Sequence, residues 1–236
     1  MSNSGSFLSA FNKIADYLRR MTKEKKETSF SALVTKASNS DHAVRRYATD
    51  LLEFNDLRNA IVHERTDSHV IAEPNDEAVR QIEHVVSVVT SPPEVYSLLK
   101  GNVLTLKIND SVADAVKATL DHSFSQIPIY ENEKFVALLT TDTIARWLGA
   151  CVKEDIFSLR ETPLESVLKY TEEPDNYCFL GRNTTVFTAL EKFHEYEQTG
   201  KRLEAMLITQ NGKQMETLLG IITVWDLPRI LEKLQK

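Results

Sequence analysis

From Ser6 onward apolar residues recur at threes and fours: Phe7, Leu8, Phe11, Ile14, Leu18 and Met21. That spacing predicts an amphipathic helix. It closes in a charged run, Arg19-Arg20 and then Lys23 to Lys26, as solvated helix ends do. A second helix is predicted from Thr28 to Ala37, with Phe30, Leu33 and Val34 inward. Asn39-Ser40-Asp41 is an N-cap cluster for a third, which runs through Val44, Tyr47, Ala48, Leu51, Leu52, Leu57 and Ile61. A polar loop, Glu64 to Pro74, precedes a fourth helix. That helix starts near Asn75-Asp76-Glu77, carries Val79, Ile82, Val85, Val86 and Val89, and stops before Ser91-Pro92-Pro93. Four helices with short connections predict an up-and-down bundle.

After Pro93 the pattern changes to short Val, Ile and Thr runs between helices, and it repeats. Ser97-Leu98-Leu99-Lys100 is echoed by Ser166-Val167-Leu168-Lys169. Each is followed by an apolar strand, Val103 to Leu106 and Tyr177 to Leu180. Each strand leads to a capped helix, at Asp110 to Ala115 and at Thr184 to Ala189. Paired strands come next: Ile127-Pro128-Ile129-Tyr130 with Phe135 to Leu139, and Met206 to Thr209 with Leu218 to Ile222. The period, roughly 70 to 80 residues, is too long for a solenoid repeat. Two β-α-β-β-α units packed together fit it better.

Each copy ends in a strand-to-helix junction, Leu138 to Thr143 and Gly220-Ile221-Ile222-Thr223-Val224-Trp225-Asp226-Leu227. Unpaired N–H groups at a helix start favour an anion. Thr223 adds a hydroxyl, and Asp226 adds two acceptors that suit a diol such as ribose. The same T-x-x-D is also a capping box, a device that starts helices. On this stretch alone capping comes first. Arg146 and Arg229 each stand one turn further on, where either reaches a phosphate or simply faces solvent. Pro228 sits in the first turn, where its missing N–H costs little.

The order of these elements over about 92–236 resembles a pair of CBS motifs, the tandem modules of adenine-nucleotide sensors. The resemblance rests on Ile127-Pro128-Ile129-Tyr130, on the doubled order and on the Gly220 to Leu227 stretch. It implies an α+β fold class, with a first motif at about 92–150 and a second at about 160–236. It implies AMP, ADP or ATP as ligand, with S-adenosylmethionine and cyclic di-AMP as relatives, and association into homodimers. By the same resemblance Thr223 contacts phosphate or ribose, Asp226 holds the ribose hydroxyls, and Gly220 lets the strand lie close to its neighbours. Met206 to Ile208 and Ile222 would flank the base. The first copy departs from the pattern: Thr143 stands where Asp226 does, and Ala137 where Gly220 does. The cleft of Thr140 and Arg146 is therefore expected to be the weaker one.

The helical part, residues 1–91, carries a second resemblance. Leu57-Arg58-Asn59-Ala60-Ile61-Val62-His63 is similar to the signature of HEPN helical domains: an Arg, a polar residue behind it, and a His five positions on. In active members the Arg and His form a metal-independent ribonuclease in a dimer cleft. The resemblance thus implies Arg58, Asn59 and His63 as catalytic residues and RNA as a partner. The chemistry is sound, since an imidazole near neutral pKa takes a 2′-hydroxyl proton and a guanidinium holds phosphate. A spacing of five does not place two side chains squarely on one helix face. The pair can equally cap or pair inside the bundle.

Composition narrows this little. Of 236 residues, 42% are apolar, enough for a sizeable core. A net charge of -6 argues against a surface built throughout for nucleic acid. Cys151 and Cys178 match no metal or redox motif, and the remaining histidines (His42, His69, His84, His122, His194) show no ligand spacing. No metal is expected. Absence of an apolar run of membrane length and of a signal-peptide pattern predicts a cytoplasmic protein. Trp147 and Trp225 are expected to pack beside apolar helices. The sequence therefore predicts a regulatory nucleotide-binding protein. A nucleotide-gated ribonuclease and a dimerisation scaffold with a degenerate site are the alternatives.

Overall fold

The computed structural model describes residues 2–63, 65–66, 69–70, 72–99, 103–152, 157–171 and 176–235. Lys100 and the side chains of His63 and His69 lie outside the described residues. The chain divides into two units. Unit 1 holds residues 1–93, 185–191 and 231–236, and unit 2 holds 94–184 and 192–230.

Unit 1 begins with α1 (Asn3–Thr22), α2 (Phe30–Ser38), α3 (His42–Arg46), α4 (Ala48–His63) and α5 (Asp76–Thr90). The starts follow capping chemistry. Ser29 accepts from Ala32 N, Asp41 from Val44 N and Asn75 from Ala78 N. Phe7, Ile14 and Leu18 of α1 are fully buried against Leu33, Leu51, Ile61 and Ile82. The long third helix predicted from Asp41 to Ile61 is instead two, α3 and α4, divided at Tyr47. Tyr47 leaves helical geometry, with φ -99 and ψ 15. Its ring lies edge-on to both His84 and Phe187, and its hydroxyl donates to the Leu234 carbonyl at 3.4 Å. His84 Nε2 lies 2.9 Å from the same carbonyl, so that nitrogen carries the proton. Arg45 pairs with Glu191 at 3.2 Å. The predicted polar loop from Glu64 to Pro74 contains a two-stranded pair, β1 (Arg65–Thr66) and β2 (His69–Val70).

Unit 2 contains two sheets of three strands. The first joins β3 (Leu106–Lys107), β4 (Gln126–Glu131) and β5 (Lys134–Thr140); the second joins β6 (Tyr177–Gly181), β7 (Ala205–Thr209) and β8 (Gly220–Ile222). In each the first pairing is parallel and the second antiparallel. A parallel pair requires a crossover, here α6 (Val112–His122) and α9 (Val186–Gln198). The predicted first strand, Val103 to Leu106, is shorter and later than its spacing implied. The remaining helices are α7 (Thr141–Val152), α8 (Leu164–Leu168) and α10 (Leu227–Gln235), of which residues 227–230 belong to unit 2 and the rest to unit 1. Phe135 of β5 meets Tyr177 and Phe179 of β6 edge-on, with centroids at 4.8 and 5.3 Å. This aromatic contact joins the two repeats within unit 2. All five residues of β7 are buried.

The turn before β8 is tied by Glu216. Its carboxylate accepts from Asn211 Nδ2 at 2.7 Å and from Asn211 N at 2.6 Å. The Asn211 side chain, then its backbone N–H, holds the Glu216 carboxyl down to about 2. An unfolded Glu titrates near ~4.3. The lowered folded value means that this contribution is present above the unfolded pKa and is lost as the pH falls through the folded one. Acid titration of unfolding should therefore lose stability between about pH 4.3 and 2. Glu216→Gln should flatten that part of the profile, and an unchanged profile would show that the contact contributes nothing.

Candidate functional site

The β8 strand delivers the chain to Thr223, which is extended at φ -122 and ψ 173. A single 3-10 turn, Val224–Asp226, then leads into α10. The Asp226 carboxylate reaches back: Oδ2 accepts from Thr223 N at 2.9 Å and from Thr223 Oγ1 at 3.3 Å. The capping reading of the sequence is thus realised. Both bonds fall on Oδ2, so Oδ1 takes neither.

This junction borders a cavity of about 590 Å³. That volume suits a small organic ligand. Gly220, Ile222, Thr223, Asp226 and Arg229 line it. The opposite side comes from the first repeat, from Leu98, Leu99, Val103 and Leu104 and from the loop Ser123 to Gln126. Gly220 is required by a close approach. A Cβ there would lie 2.3 Å from both Leu99 methyl carbons, well inside van der Waals contact. Asp226 and Arg229 bring opposite charges to the α10 start. The rest of the wall is largely aliphatic and aromatic.

Met206 and Ile208, expected to flank the base, are fully buried in β7, the central strand of its sheet, paired on both edges. One sequence expectation is corrected here. Trp225 is not packed. It is 77% exposed and lines the cavity, whereas Trp147 is 4% exposed in the core. Phe124, Gln126 and Leu99 also line the cavity, and no local motif marks them. Their signal lay in the repeat itself, because each cleft pairs one copy's helix start with the loop before the other copy's central strand.

The mirror cleft shows the same plan with other chemistry. Thr140, Thr143 and Arg146 border a cavity of about 100 Å³, together with Asp142, Asn176, Arg202 and Glu204. That is room for a few waters. Thr140 and Thr143 are buried and bond each other, Oγ1 to Oγ1 at 3.0 Å, and Thr143 N donates to Thr140 Oγ1 at 3.1 Å. Arg202 fills the charge role with the protein's own carboxylates, Glu204 at 2.8 Å and Asp142 at 3.7 Å. Glu204 also accepts from Gln126 Nε2 at 2.9 Å.

The helical residues Arg58 and Asn59 lie half-buried on α4, and Arg58 Nη1 donates to Asn59 Oδ1 at 3.1 Å. His63 ends that helix. Among the described residues no cluster of three or more His, Cys, Asp or Glu is arranged to hold a metal ion. Among the same residues no helix is long and apolar enough to cross a membrane. Burial raises the Cys178 thiol to about 11, which makes it a poor nucleophile.

The CBS domain family matches residues 95–150. No curated protein matches the chain. Among solved structures, the CBS domain pair of protein MJ0100 in complex with 5′-methylthioadenosine and S-adenosyl-L-methionine is 18% identical, at a TM-score of 0.46, covering 61% of this chain and 99% of that one. The CBS domain of a CBS-domain-containing membrane protein from Sphaerobacter thermophilus is 15% identical, at 0.46, covering 65% and 96%. CBSX2 in complex with AMP is 13% identical, at 0.43, covering 61% and 99%. Residues 95–150 thus match a CBS domain, and the second repeat in unit 2 has the same order of strands and helices.

Proposed function

We propose that unit 2 is a CBS pair that binds one adenine nucleotide in the cavity bordered by Thr223 and Asp226 and acts as a regulatory sensor. The observation that carries this reading is the cavity of about 590 Å³ into which Asp226 and Arg229 converge at one helix start. The Asp226 carboxylate, its Oδ1 not taken up by capping, is the acceptor for the ribose hydroxyls. Arg229 and the N–H groups at the α10 start are the counterpart of the phosphate. AMP, ADP and ATP are the ligands this arrangement suits; S-adenosylmethionine and cyclic di-AMP share the adenosyl part. The mirror cleft stays without nucleotide, because Arg202 and Glu204 already fill it. Binding shifts the populations of two states by its differential affinity for them.

A second reading concerns the helical unit, which we take to be HEPN-like. The Arg58 to Asn59 bond supports it, since a carboxamide oxygen that fixes one guanidinium nitrogen leaves the others oriented for a phosphate. Arg58 and His63 would then cleave RNA without metal.

Ligand panels separate these readings. AMP, ADP, ATP or an adenosyl relative should raise the melting temperature with concentration, by roughly 2.7 kcal/mol of stabilisation at a hundredfold excess over Kd. Calorimetry should give one site per chain. Asp226→Ala should weaken binding about tenfold or more and remove about 1 kcal/mol of capping as well. The readout is therefore affinity measured below the melting range. Silence across the whole panel, or full affinity in Asp226→Ala, would sink the nucleotide site. Gly220→Ala should drive Leu99 into the cavity, costing about 1–3 kcal/mol of stability and lowering affinity for the same ligand. A variant as stable and as avid as the parent would refute the close approach. For the ribonuclease, mixed RNA is incubated with chelator. Cleavage by the parent that disappears in His63→Ala is expected, and equal cleavage by both proteins would refute the assignment.

A further inference from the structure

The cavity has an aromatic side that the nucleotide reading leaves without a role. Trp225 is 77% exposed, although a tryptophan beside an apolar run ordinarily buries its ring. The 3-10 turn Val224–Asp226 presents it, and Phe124, 43% exposed, lines the same cavity from the other repeat. Phe124 already lies stacked on His122, with centroids at 5.5 Å and planes at 18°. A hydrated indole at the mouth of a cavity is a surface waiting for a flat partner, because burying it removes a large apolar area from water.

We propose that Trp225 is the stacking surface for the ligand's planar base, with Phe124 as the opposing rim. The site would then select its ligand by an aromatic base as well as by sugar and phosphate. This rests on the nucleotide reading, with which it shares the cavity, and it adds a residue that touches the base. Asp226 and Arg229 address the ribose phosphate. Leu99 and Ile222 supply apolar wall. Neither pair offers a ring face, which leaves base recognition to the two aromatics. Stacking tolerates any base, so Trp225 provides affinity for a nucleobase and not discrimination among bases.

The experiment compares AMP with ribose 5-phosphate, which lacks the base, by calorimetry on the full chain and on Trp225→Ala and Trp225→Phe. The parent should bind AMP more tightly than ribose 5-phosphate. Trp225→Ala should lower AMP affinity roughly 10- to 100-fold and leave ribose 5-phosphate unchanged. Trp225→Phe should restore most of the loss. Iodide quenching gives an independent readout on the parent. Trp147 is buried, so the accessible fluorescence belongs to Trp225 and should be shielded by AMP. AMP bound with equal affinity by parent and Trp225→Ala, or bound without shielding, overturns the stacking role and leaves the nucleotide site standing. Equal losses for AMP and ribose 5-phosphate also overturn it, because a structural role moves both. A parent that binds neither compound removes the nucleotide reading and this inference together.

Discussion

The site depends on one contact, Leu99 lying on Gly220. It lays the Leu99 side chain, from the entry segment of the first repeat, directly on the backbone of Gly220, the first residue of β8 in the second. A cavity made from one repeat alone would be a shallow groove. Because the two repeats meet at a glycine, the strand end, the helix start beyond it and the loop before β4 face a common space. The aromatic packing of Phe135 on Tyr177 and Phe179 holds the repeats together elsewhere in unit 2. The glycine contact sets how near they come at the site.

The two clefts share a topology and differ in how they satisfy the same backbone need. Every helix start leaves N–H groups without intrahelical partners. At Thr223 a carboxylate answers, and it brings negative charge and a spare oxygen to an open cavity. At Thr140 a hydroxyl answers, and the Thr140 and Thr143 hydroxyls turn to each other in the interior. An unpaired carboxylate buried in place of either hydroxyl would be expensive to desolvate, whereas two hydroxyls that bond each other are not; the buried Glu204 of the same cleft is paired with Arg202. Arg202 lies among carboxylates of its own chain in that cleft. Gln126 borders the open cavity and bonds Glu204 in the closed one, so a single side chain belongs to both.

Much of this was legible from local pattern. The doubled order of strands and helices, the T-x-x-D junction and the departure of its first-copy counterpart from that pattern follow from residues close together in sequence. What failed depended on distant partners. The division of one long helix into α3 and α4 at Tyr47 has no glycine or proline to announce it. Tyr47 instead answers to His84, Phe187 and Leu234, residues far along the chain. Trp225 looked buried because composition favours packing, and only the fold shows that its turn faces a cavity. Phe124 and Leu99 join the site through the pairing of two repeats, which periodicity alone does not position.

The membership of unit 1 bears on how the protein is made. Its helices come first in the chain, yet the unit also draws on residues 185–191 and 231–236. Tyr47 and His84 find their common partner, the Leu234 carbonyl, at the far end of the sequence. During translation the bundle helices are made well before residues 185–191 and 231–236, which the unit also needs. Domains ordinarily fold in the order they emerge. Here Tyr47 and His84 are made well before Leu234, so the bundle helices spend an interval of synthesis without the carbonyl that both bond in the folded unit.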